Sequence, residues 1–269
     1  MDYLQRFSLA HHVFPQNAQG DTFFETPSYA KLHRRFKMLS REPGLGVLVG
    51  DVGVGKTSAM RNLCRMLPRP DYDVVYLCDT AASPLDLYRQ LAVELGVTPS
   101  HRRAQLWQDL KGAMAHMVDE QGVQPVLIID EAQHLSDRFL TDLSGFLNFA
   151  MDSRNLLTLW LVGQPGLLSV LRMKYHAALA SRIVARIHLE PLLQREDFAA
   201  FLAHGLEAAG AVSNIVSDSA GEMLFRVSRG VPRQAARLIR EALMVAHEQN
   251  KSFIDDAILE TVLDEEELG

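Results

Sequence analysis

The segment Gly50–Thr57 constrains the fold of this chain more than any other part of its sequence. It reads GDVGVGKT and fits the phosphate-loop pattern G-x-x-x-x-G-K-[ST], in which x is any residue, at every fixed position. It follows the apolar run Val47–Val49 and opens an amphipathic pattern, so it predicts a turn between a buried strand and a helix. Glycines in such a turn let backbone N–H groups face a phosphate, and the helix adds the positive end of its dipole. We therefore predict a phosphate-binding loop in an α/β fold.

The side chains near this loop predict hydrolysis of a bound nucleotide. Lys56 can reach the β- and γ-phosphates, and the hydroxyl of Thr57 can ligate Mg²⁺. Asp130 and Glu131 end the apolar run Val126–Ile129 at the carboxyl edge of a strand, where α/β sheets bind ligands. Asp130 would hold Mg²⁺ through water, and Glu131 would polarise the attacking water. The predicted nucleotide-binding residues are Gly50, Asp51, Val52, Gly53, Val54, Gly55, Lys56, Thr57, Ser58 and Asp130.

Short β-rich runs alternate with longer amphipathic patterns up to Pro191, which predicts a parallel sheet covered by helices on both faces. The predicted strands lie at 46–50, 74–78, 126–130, 157–163 and 182–189. Beyond Pro191 the pattern is helical, with predicted helices at 194–209, 217–228, 232–249 and 253–264. We expect an aromatic-rich segment at 1–40 that packs on the core, an α/β core at 41–190, and a helical lid with an acidic tail at 191–269.

Composition excludes several other classes of protein. No stretch approaches the roughly 18 apolar residues of a membrane helix, and the first residues lack the features of a signal peptide. With Cys64 and Cys78 as the only cysteines, a disulfide scaffold is excluded and a cytoplasmic location is expected. The net charge is −6, but residues 251–269 alone carry −6, so the first 250 residues have 26 bases and 26 acids. That balance leaves binding to nucleic acid open.

Four motifs together resemble the AAA+ ATPases. They are GDVGVGKT at Gly50–Thr57, IDEAQHL at Ile129–Leu135, LVGQP at Leu161–Pro165 and GVPR at Gly230–Arg233. The last three are similar to the ExeA-type group, which includes the general secretion ATPase and the transposition regulators of the TnsC, TniB and MuB kind. The resemblance runs over Phe14–Leu263. It implies a P-loop AAA+ core with a five-stranded parallel sheet, a C-terminal helical lid, and ATP with Mg²⁺ as ligands.

The resemblance also assigns roles to residues outside the loop. Gln164 matches sensor 1, where a side-chain amide orients the attacking water or contacts the γ-phosphate. Arg233 matches sensor 2, an arginine of the lid that reaches the phosphates. Arg182 matches the arginine finger that acts on the nucleotide of a neighbouring subunit, and Arg186 stays open as an alternative.

Three groups of basic residues are candidates for contact with nucleic acid. They are Lys31, Arg34, Arg35 and Lys37 in a predicted N-terminal helix, Arg102 and Arg103 between the second and third strands, and Arg233, Arg237 and Arg240 in the lid. Each could equally be a solvated helix face. In the transposition regulators, DNA lies in the channel of a ring or filament and follows the region after the second strand, which favours Arg102 and Arg103. Such contacts would be to phosphates and independent of base sequence.

The resemblance favours an ATP-dependent regulator of transposition that forms a homo-oligomer on duplex DNA and recruits or activates a transposase. A target-selector protein would be a further partner, and no membrane is expected. A secretion-associated ATPase is the first alternative; such proteins usually continue into a membrane helix and a peptidoglycan-binding module, which this sequence lacks. A helicase-loader-like ATPase and a nucleotide switch with little turnover are the others. The sequence leaves open the transposase, the selector, RNA guidance, and ring versus filament.

Overall fold

The computed structural model describes residues 3–18, 20–211 and 214–267, and these divide into two compact units. One unit contains the described residues up to Pro27, the segment Val52–Ser58 and the described residues from Glu190 onwards. The other contains Ser28–Asp51 and Ala59–Leu189. We refer to them as the helical unit and the sheet unit.

The sheet unit is built on five parallel strands in the order β2-β3-β4-β1-β5. The strands are β1 Leu45–Val49, β2 Tyr72–Leu77, β3 Gln124–Ile129, β4 Thr158–Gly163 and β5 Ile183–His188. The three inner strands are almost wholly buried, which explains their continuous apolar sequences. The edge strands β2 and β5 expose alternate residues. The predicted five-stranded parallel sheet is confirmed.

In chain order from the first residues to β5 the helices are α1 Tyr3–Arg6, α2 Pro27–Arg41, α3 Lys56–Arg65, α4 Pro84–Glu94, α5 Arg103–Asp119, α6 Asp137–Phe146, α7 Gly166–Leu171 and α8 Ala177–Ala180. Helix α1 belongs to the helical unit, and the helices from α2 to α8 connect and cover the strands of the sheet unit. Serines begin two of them: the Ser83 hydroxyl accepts a hydrogen bond from the Asp86 N–H, and the Ser136 hydroxyl accepts one from the Phe139 N–H. The first turns are therefore fixed by side-chain caps.

Helix α2 packs on the sheet through the buried ring of Trp160 on β4. The Phe36 ring of α2 stacks on Trp160 with a centroid separation of 5.9 Å, and the Thr158 hydroxyl donates to the Leu39 carbonyl at 2.8 Å. Gly46 on β1 makes room for the ring, because a Cβ atom there would lie 2.6 Å from it.

The helical unit contains four longer helices, α9 Arg195–Ala208, α10 Asp218–Ser228, α11 Pro232–Glu248 and α12 Asp256–Glu267, at the predicted places. The turn between α10 and α11 depends on Gly230, whose φ is +69°. A Cβ atom at Gly230 would lie 2.1 Å from the Leu192 carbonyl oxygen, and the Leu192 N–H donates to the Gly230 carbonyl at 2.8 Å. Pro232 then starts α11 at a position where no backbone donor is needed.

The N-terminal segment differs from the expectation that residues 1–40 pack together on the α/β core. Tyr3 and Phe7 are buried in the core of the helical unit, and the Phe14 ring stacks on Phe201 of α9 at 4.1 Å. Gly205 provides the space, because a Cβ atom there would lie 2.1 Å from Phe14. Only α2 lies with the sheet. Aromatic content predicted burial of this segment, but it carried no information about which surface would receive the rings.

The sequence-based segment boundaries include residues 1, 2, 19, 212, 213, 268 and 269, which lie outside the described residues. Among the helices that the structure describes, none combines the length and the apolar character needed to cross a bilayer.

Candidate nucleotide site

The carboxyl ends of the inner strands lie side by side at one edge of the sheet. Ile129 of β3 pairs with Leu161 of β4, and Val49 of β1 pairs with Gly163 of β4. The Gly50 N–H, at the start of the phosphate loop, donates to the Gly163 carbonyl at 3.2 Å. The sheet therefore brings the first loop residue to the same edge as the residues that follow β3 and β4.

Asp130 is fixed at this edge by two hydrogen bonds to its carboxylate. The Glu131 N–H donates to Oδ1 at 2.9 Å, and the hydroxyl of Tyr76 on β2 donates to Oδ2 at 2.9 Å. The residue is 2% exposed. Burial, and then the neighbouring Asp130 carboxylate, raises the pKa of the Tyr76 phenol, so Tyr76 stays a donor at neutral pH. Sequence reasoning missed Tyr76, although a polar tip on the strand beside β3 was the available signal.

Glu131 has a left-handed backbone conformation, with φ of +51°, which is uncommon for a residue with a side chain. Its carbonyl oxygen accepts a hydrogen bond from the Thr80 hydroxyl at 2.9 Å. Its carboxylate accepts one from the Gln133 side-chain amide at 2.6 Å. Non-glycine residues in this conformation cluster at functional sites, where surrounding contacts hold the strained backbone.

Gln133 connects the tips of β3 and β4. Its Nε2 donates to Glu131, and its Oε1 accepts from the Gln164 N–H at 2.9 Å. Gly163 must be small at this point, because a Cβ atom would lie 2.5 Å from the Gln133 Oε1. Gln133 belongs to the IDEAQHL motif at Ile129–Leu135, but the sequence analysis assigned it no role. The Gln133 side-chain amide thus forms hydrogen bonds with both the Glu131 carboxylate and the Gln164 backbone N–H.

We expect Gln133→Ala to lower ATP turnover by roughly tenfold, because a hydrogen bond to a charged group of about 1.5 kcal/mol would no longer orient Glu131. Steady-state hydrolysis at saturating ATP measures the effect. Gln105→Ala is the matched control, since Gln105 makes the same kind of amide–carboxylate bond, to Asp109 at 2.7 Å on the exposed face of α5. Equal turnover in the two variants would show that Gln133 does not position Glu131.

The phosphate loop itself has the backbone that a phosphate cradle needs. Gly53 and Gly55 have φ of +87° and +97°, and no atom lies within 4 Å of a Cβ position at Gly55. Lys56, at the start of α3, is 7% exposed. Left-handed glycines with open space beside them allow phosphate oxygens to approach backbone N–H groups. The backbone of the loop is therefore compatible with a bound phosphate group.

Within the helical unit, the phosphate loop contacts the start of α11. The Arg233 N–H donates to the Gly53 carbonyl at 3.1 Å. A Cβ atom on Gly53 would lie 2.9 Å from Val231 and 3.0 Å from Arg233. The structure thus brings Arg233, the predicted sensor 2 residue, to the backbone of the phosphate loop. The role of its guanidinium remains a prediction.

Arg182 and Arg186 belong to the edge strand β5 or to the turn before it. Arg182 is half-buried and lines a cavity of about 260 Å³ together with Gly44 and Asn155. Arg186 is exposed, and its Nη2 donates to the Ala180 carbonyl at 3.1 Å. Arg182 precedes the amino end of β5, whereas Asp130 follows the carboxyl end of the parallel strand β3. Arg182 therefore lies at the opposite edge of the sheet from Asp130 of its own chain.

The two arginines predicted to contact DNA differ in their surroundings. Arg102 is exposed and precedes α5. Arg103 forms an ion pair with Asp142 at 2.6 Å, and its guanidinium lies 5.0 Å from the Trp107 ring centroid. These contacts tie Arg103 to the fold of the sheet unit.

The AAA domain family model matches residues 39–171. With the five-stranded sheet and phosphate loop, this match identifies the chain as an AAA+ ATPase, a nucleotide-binding protein with a P-loop core. Solved structures have the same fold. Cdc6p from Pyrobaculum aerophilum gives a TM-score of 0.67 at 17% identity, covering 94% of this chain and 68% of that one. The RuvB Holliday junction branch migration motor of Thermotoga maritima gives 0.62 at 18%, covering 94% and 72%.

Two curated relatives are similar in sequence. General secretion pathway protein A of Aeromonas hydrophila is 33% identical over 205 residues, which cover 76% of this chain and 37% of the relative. The ATP-dependent target DNA activator B of Escherichia phage Mu is 29% identical over 142 residues, which cover 52% of this chain and 43% of the relative. The chain therefore spans less than half the length of either protein and is related to both.

Proposed function

We propose that this AAA+ ATPase is an ATP-dependent regulator of transposition that assembles as a homo-oligomer on duplex DNA and recruits or activates a transposase. The observation that carries the proposal is the similarity to the phage Mu activator, whose name couples ATP to target DNA. A target selector would be a further partner of the assembly.

In this proposal, the phosphate loop holds ATP with its backbone N–H groups and Lys56 neutralises charge on the β- and γ-phosphates. The Thr57 hydroxyl and the Asp130 carboxylate would hold Mg²⁺, which supplies charge neutralisation of the phosphate oxygens when bound. Among the described residues, no cluster of three or more histidine, cysteine or carboxylate side chains could hold a metal. Two protein ligands suit Mg²⁺, because it usually keeps several waters and binds substrate phosphates.

Glu131 would act as the base that polarises the attacking water, and Gln164 would orient that water or contact the γ-phosphate. The Gln133 amide supports this assignment, since it restrains the Glu131 carboxylate and the Gln164 backbone together. Arg233 of the lid would contact the phosphates, and its backbone hydrogen bond to Gly53 of the phosphate loop supports this role. Arg182 would complete the site of a neighbouring subunit.

A secretion-associated ATPase is the second candidate function. The match to general secretion pathway protein A favours it, because that match is longer and has the higher identity. Both candidates use the same ATPase chemistry, so hydrolysis does not separate them. Binding to duplex DNA does, because only the transposition regulator requires it.

We expect the purified chain to retard long duplex DNA of unrelated sequences in a mobility-shift experiment, more strongly with ATP than without nucleotide, because assembly multiplies the phosphate contacts. Lys56→Ala is the control: it removes the charge facing the phosphates and should lose the ATP-dependent part of the binding. If the wild-type chain binds no duplex DNA in either nucleotide state, the transposition proposal fails and the secretion candidate stands.

A further inference from the structure

Helix α2 has an unusually basic solvent face. Its sequence, PSYAKLHRRFKMLSR, contains five lysines and arginines and no acid. The basic residues are Lys31, Arg34, Arg35, Lys37 and Arg41, and the structure exposes every one of them. Arg41 was not part of the basic group recognised from sequence.

The periodicity of α2 explains why the cations share one side. Tyr29, Leu32, Phe36 and Leu39 are buried at 3% exposure or less, and they form the stripe that packs into the sheet unit. At about 3.6 residues per turn, the five cations fall on the opposite side of the helix. The folding of α2 therefore leaves a row of positive charges facing solvent.

In the part of the chain that the structure describes, these cations lack carboxylate partners. Within residues 3–18, 20–211 and 214–267, none of the five forms an ion pair with a carboxylate. The other two basic groups differ, since Arg103 pairs with Asp142 at 2.6 Å and Arg237 pairs with Glu241 at 3.6 Å. Among the described residues, the α2 group is therefore the one of the three basic groups considered as DNA contacts in which no member is ion-paired.

We propose that the basic face of α2, rather than Arg102 and Arg103, binds the sugar-phosphate backbone of duplex DNA. This inference rests on the proposed function and names the surface that the DNA would contact. Lys31 and Arg41 are about 15 Å apart along the helix, from a rise of about 1.5 Å per residue. Duplex DNA presents about one negative charge per 1.7 Å of its axis, so the row can face several phosphates at once. Arginine suits this contact because its planar guanidinium binds phosphate through two parallel hydrogen bonds.

A phosphate-rich bilayer fits the same surface less well. Helices that lie on membranes insert an apolar face beside their basic residues. In α2 the apolar face is already buried, and its exposed side carries no large exposed hydrophobic side chain. The charge pattern thus favours a polyanion that is bound without insertion, and duplex DNA is the one that the proposed function supplies.

The test compares two triple variants of the full chain. Arg34→Gln with Arg35→Gln and Lys37→Gln removes the centre of the basic face. Arg65→Gln with Arg69→Gln and Arg138→Gln removes the same charge from exposed arginines elsewhere in the sheet unit. Affinity for random-sequence duplex DNA is measured at several salt concentrations with ATP, and ATP turnover is measured without DNA.

We expect the α2 variant to lose at least about tenfold in affinity, with the log–log salt slope falling by about 0.9 for each phosphate contact removed. The loss should be the same for unrelated DNA sequences, and DNA-free turnover should stay at the wild-type level. The control variant should keep most of its affinity and its salt slope.

Other outcomes would overturn the inference in distinguishable ways. If wild type binds DNA and the α2 variant has the same salt slope, the DNA contact lies elsewhere and the proposed function survives. An equal loss in both variants would mean that net charge, not the α2 face, governs binding. If wild type binds vesicles of phosphatidylglycerol through α2 but binds no duplex DNA, the partner is a membrane and the proposed function fails as well.

Discussion

Glu131→Gln should bind ATP normally and lose ATP turnover by about a hundredfold or more, because general-base catalysis by a positioned carboxylate contributes about 10² to 10⁴. The substitution keeps the shape of the side chain and leaves the phosphate loop and Asp130 intact. Nucleotide affinity by fluorescence titration and steady-state turnover should therefore separate. Assembly in the presence of ATP should persist, since the bound triphosphate is no longer consumed.

Two controls give this prediction its meaning. Lys56→Ala should lose ATP binding itself, so its turnover falls for a different reason. Glu120→Gln should keep wild-type turnover, because Glu120 is an exposed carboxylate that pairs with His116 on the surface of α5. Normal turnover in Glu131→Gln would place the base elsewhere and leave its strained backbone without a catalytic explanation.

Arg182→Ala should bind ATP nearly as tightly as wild type but hydrolyse it about 10³ to 10⁵ times more slowly, which is the contribution of arginine fingers in well-studied nucleotide hydrolases. Arg182 is poorly placed to act in the nucleotide site of its own chain. It precedes the amino end of β5, whereas the candidate carboxylates follow the carboxyl end of β3. A finger at this place would act on the nucleotide of a neighbouring subunit.

Mixing two inactive variants tests this arrangement directly. Arg182→Ala combined with Lys56→Ala should recover part of the activity, since some interfaces then pair an intact loop with an intact arginine. Each variant alone, at the same total concentration, is the control. If this mixture stays inactive while Arg186→Ala with Lys56→Ala recovers, the finger is Arg186, the exposed arginine of β5.

The five-stranded sheet could be predicted from the sequence because buried parallel strands have continuous apolar sequences. Val126–Ile129 is such a run, and it forms the last four residues of β3, with Asp130 and Glu131 directly after it. The four lid helices were also predictable, since Gly210, the Gly230–Pro232 turn and Asn250 interrupt the helical pattern. Such helix-ending signals depend only on residues that are neighbours along the chain.

The contacts between strand tips were not predictable in the same way. Tyr76 reaches Asp130 across 54 positions, and Gln133 reaches the Gln164 backbone across 31. Neither residue belongs to a spacing pattern with its partner, because strand order and register decide which tips meet. The packing of Phe14 on α9 could not be predicted for the same reason, because it depends on the space that Gly205 leaves in the folded structure.

The position of residues 3–18 in the helical unit has a consequence for how the chain is made. Tyr3 and Phe7 are buried against helices that begin at Arg195, and the Arg6 side chain donates to the Lys251 carbonyl at 2.7 Å. During synthesis these first residues leave the ribosome long before their partners exist, whereas the strands of the sheet emerge in one continuous stretch. We therefore expect the sheet unit to form first on the nascent chain. The aromatic side chains of the N-terminal segment stay exposed until the helices that begin with α9 have been translated, so this segment is where a nascent chain would most need a chaperone.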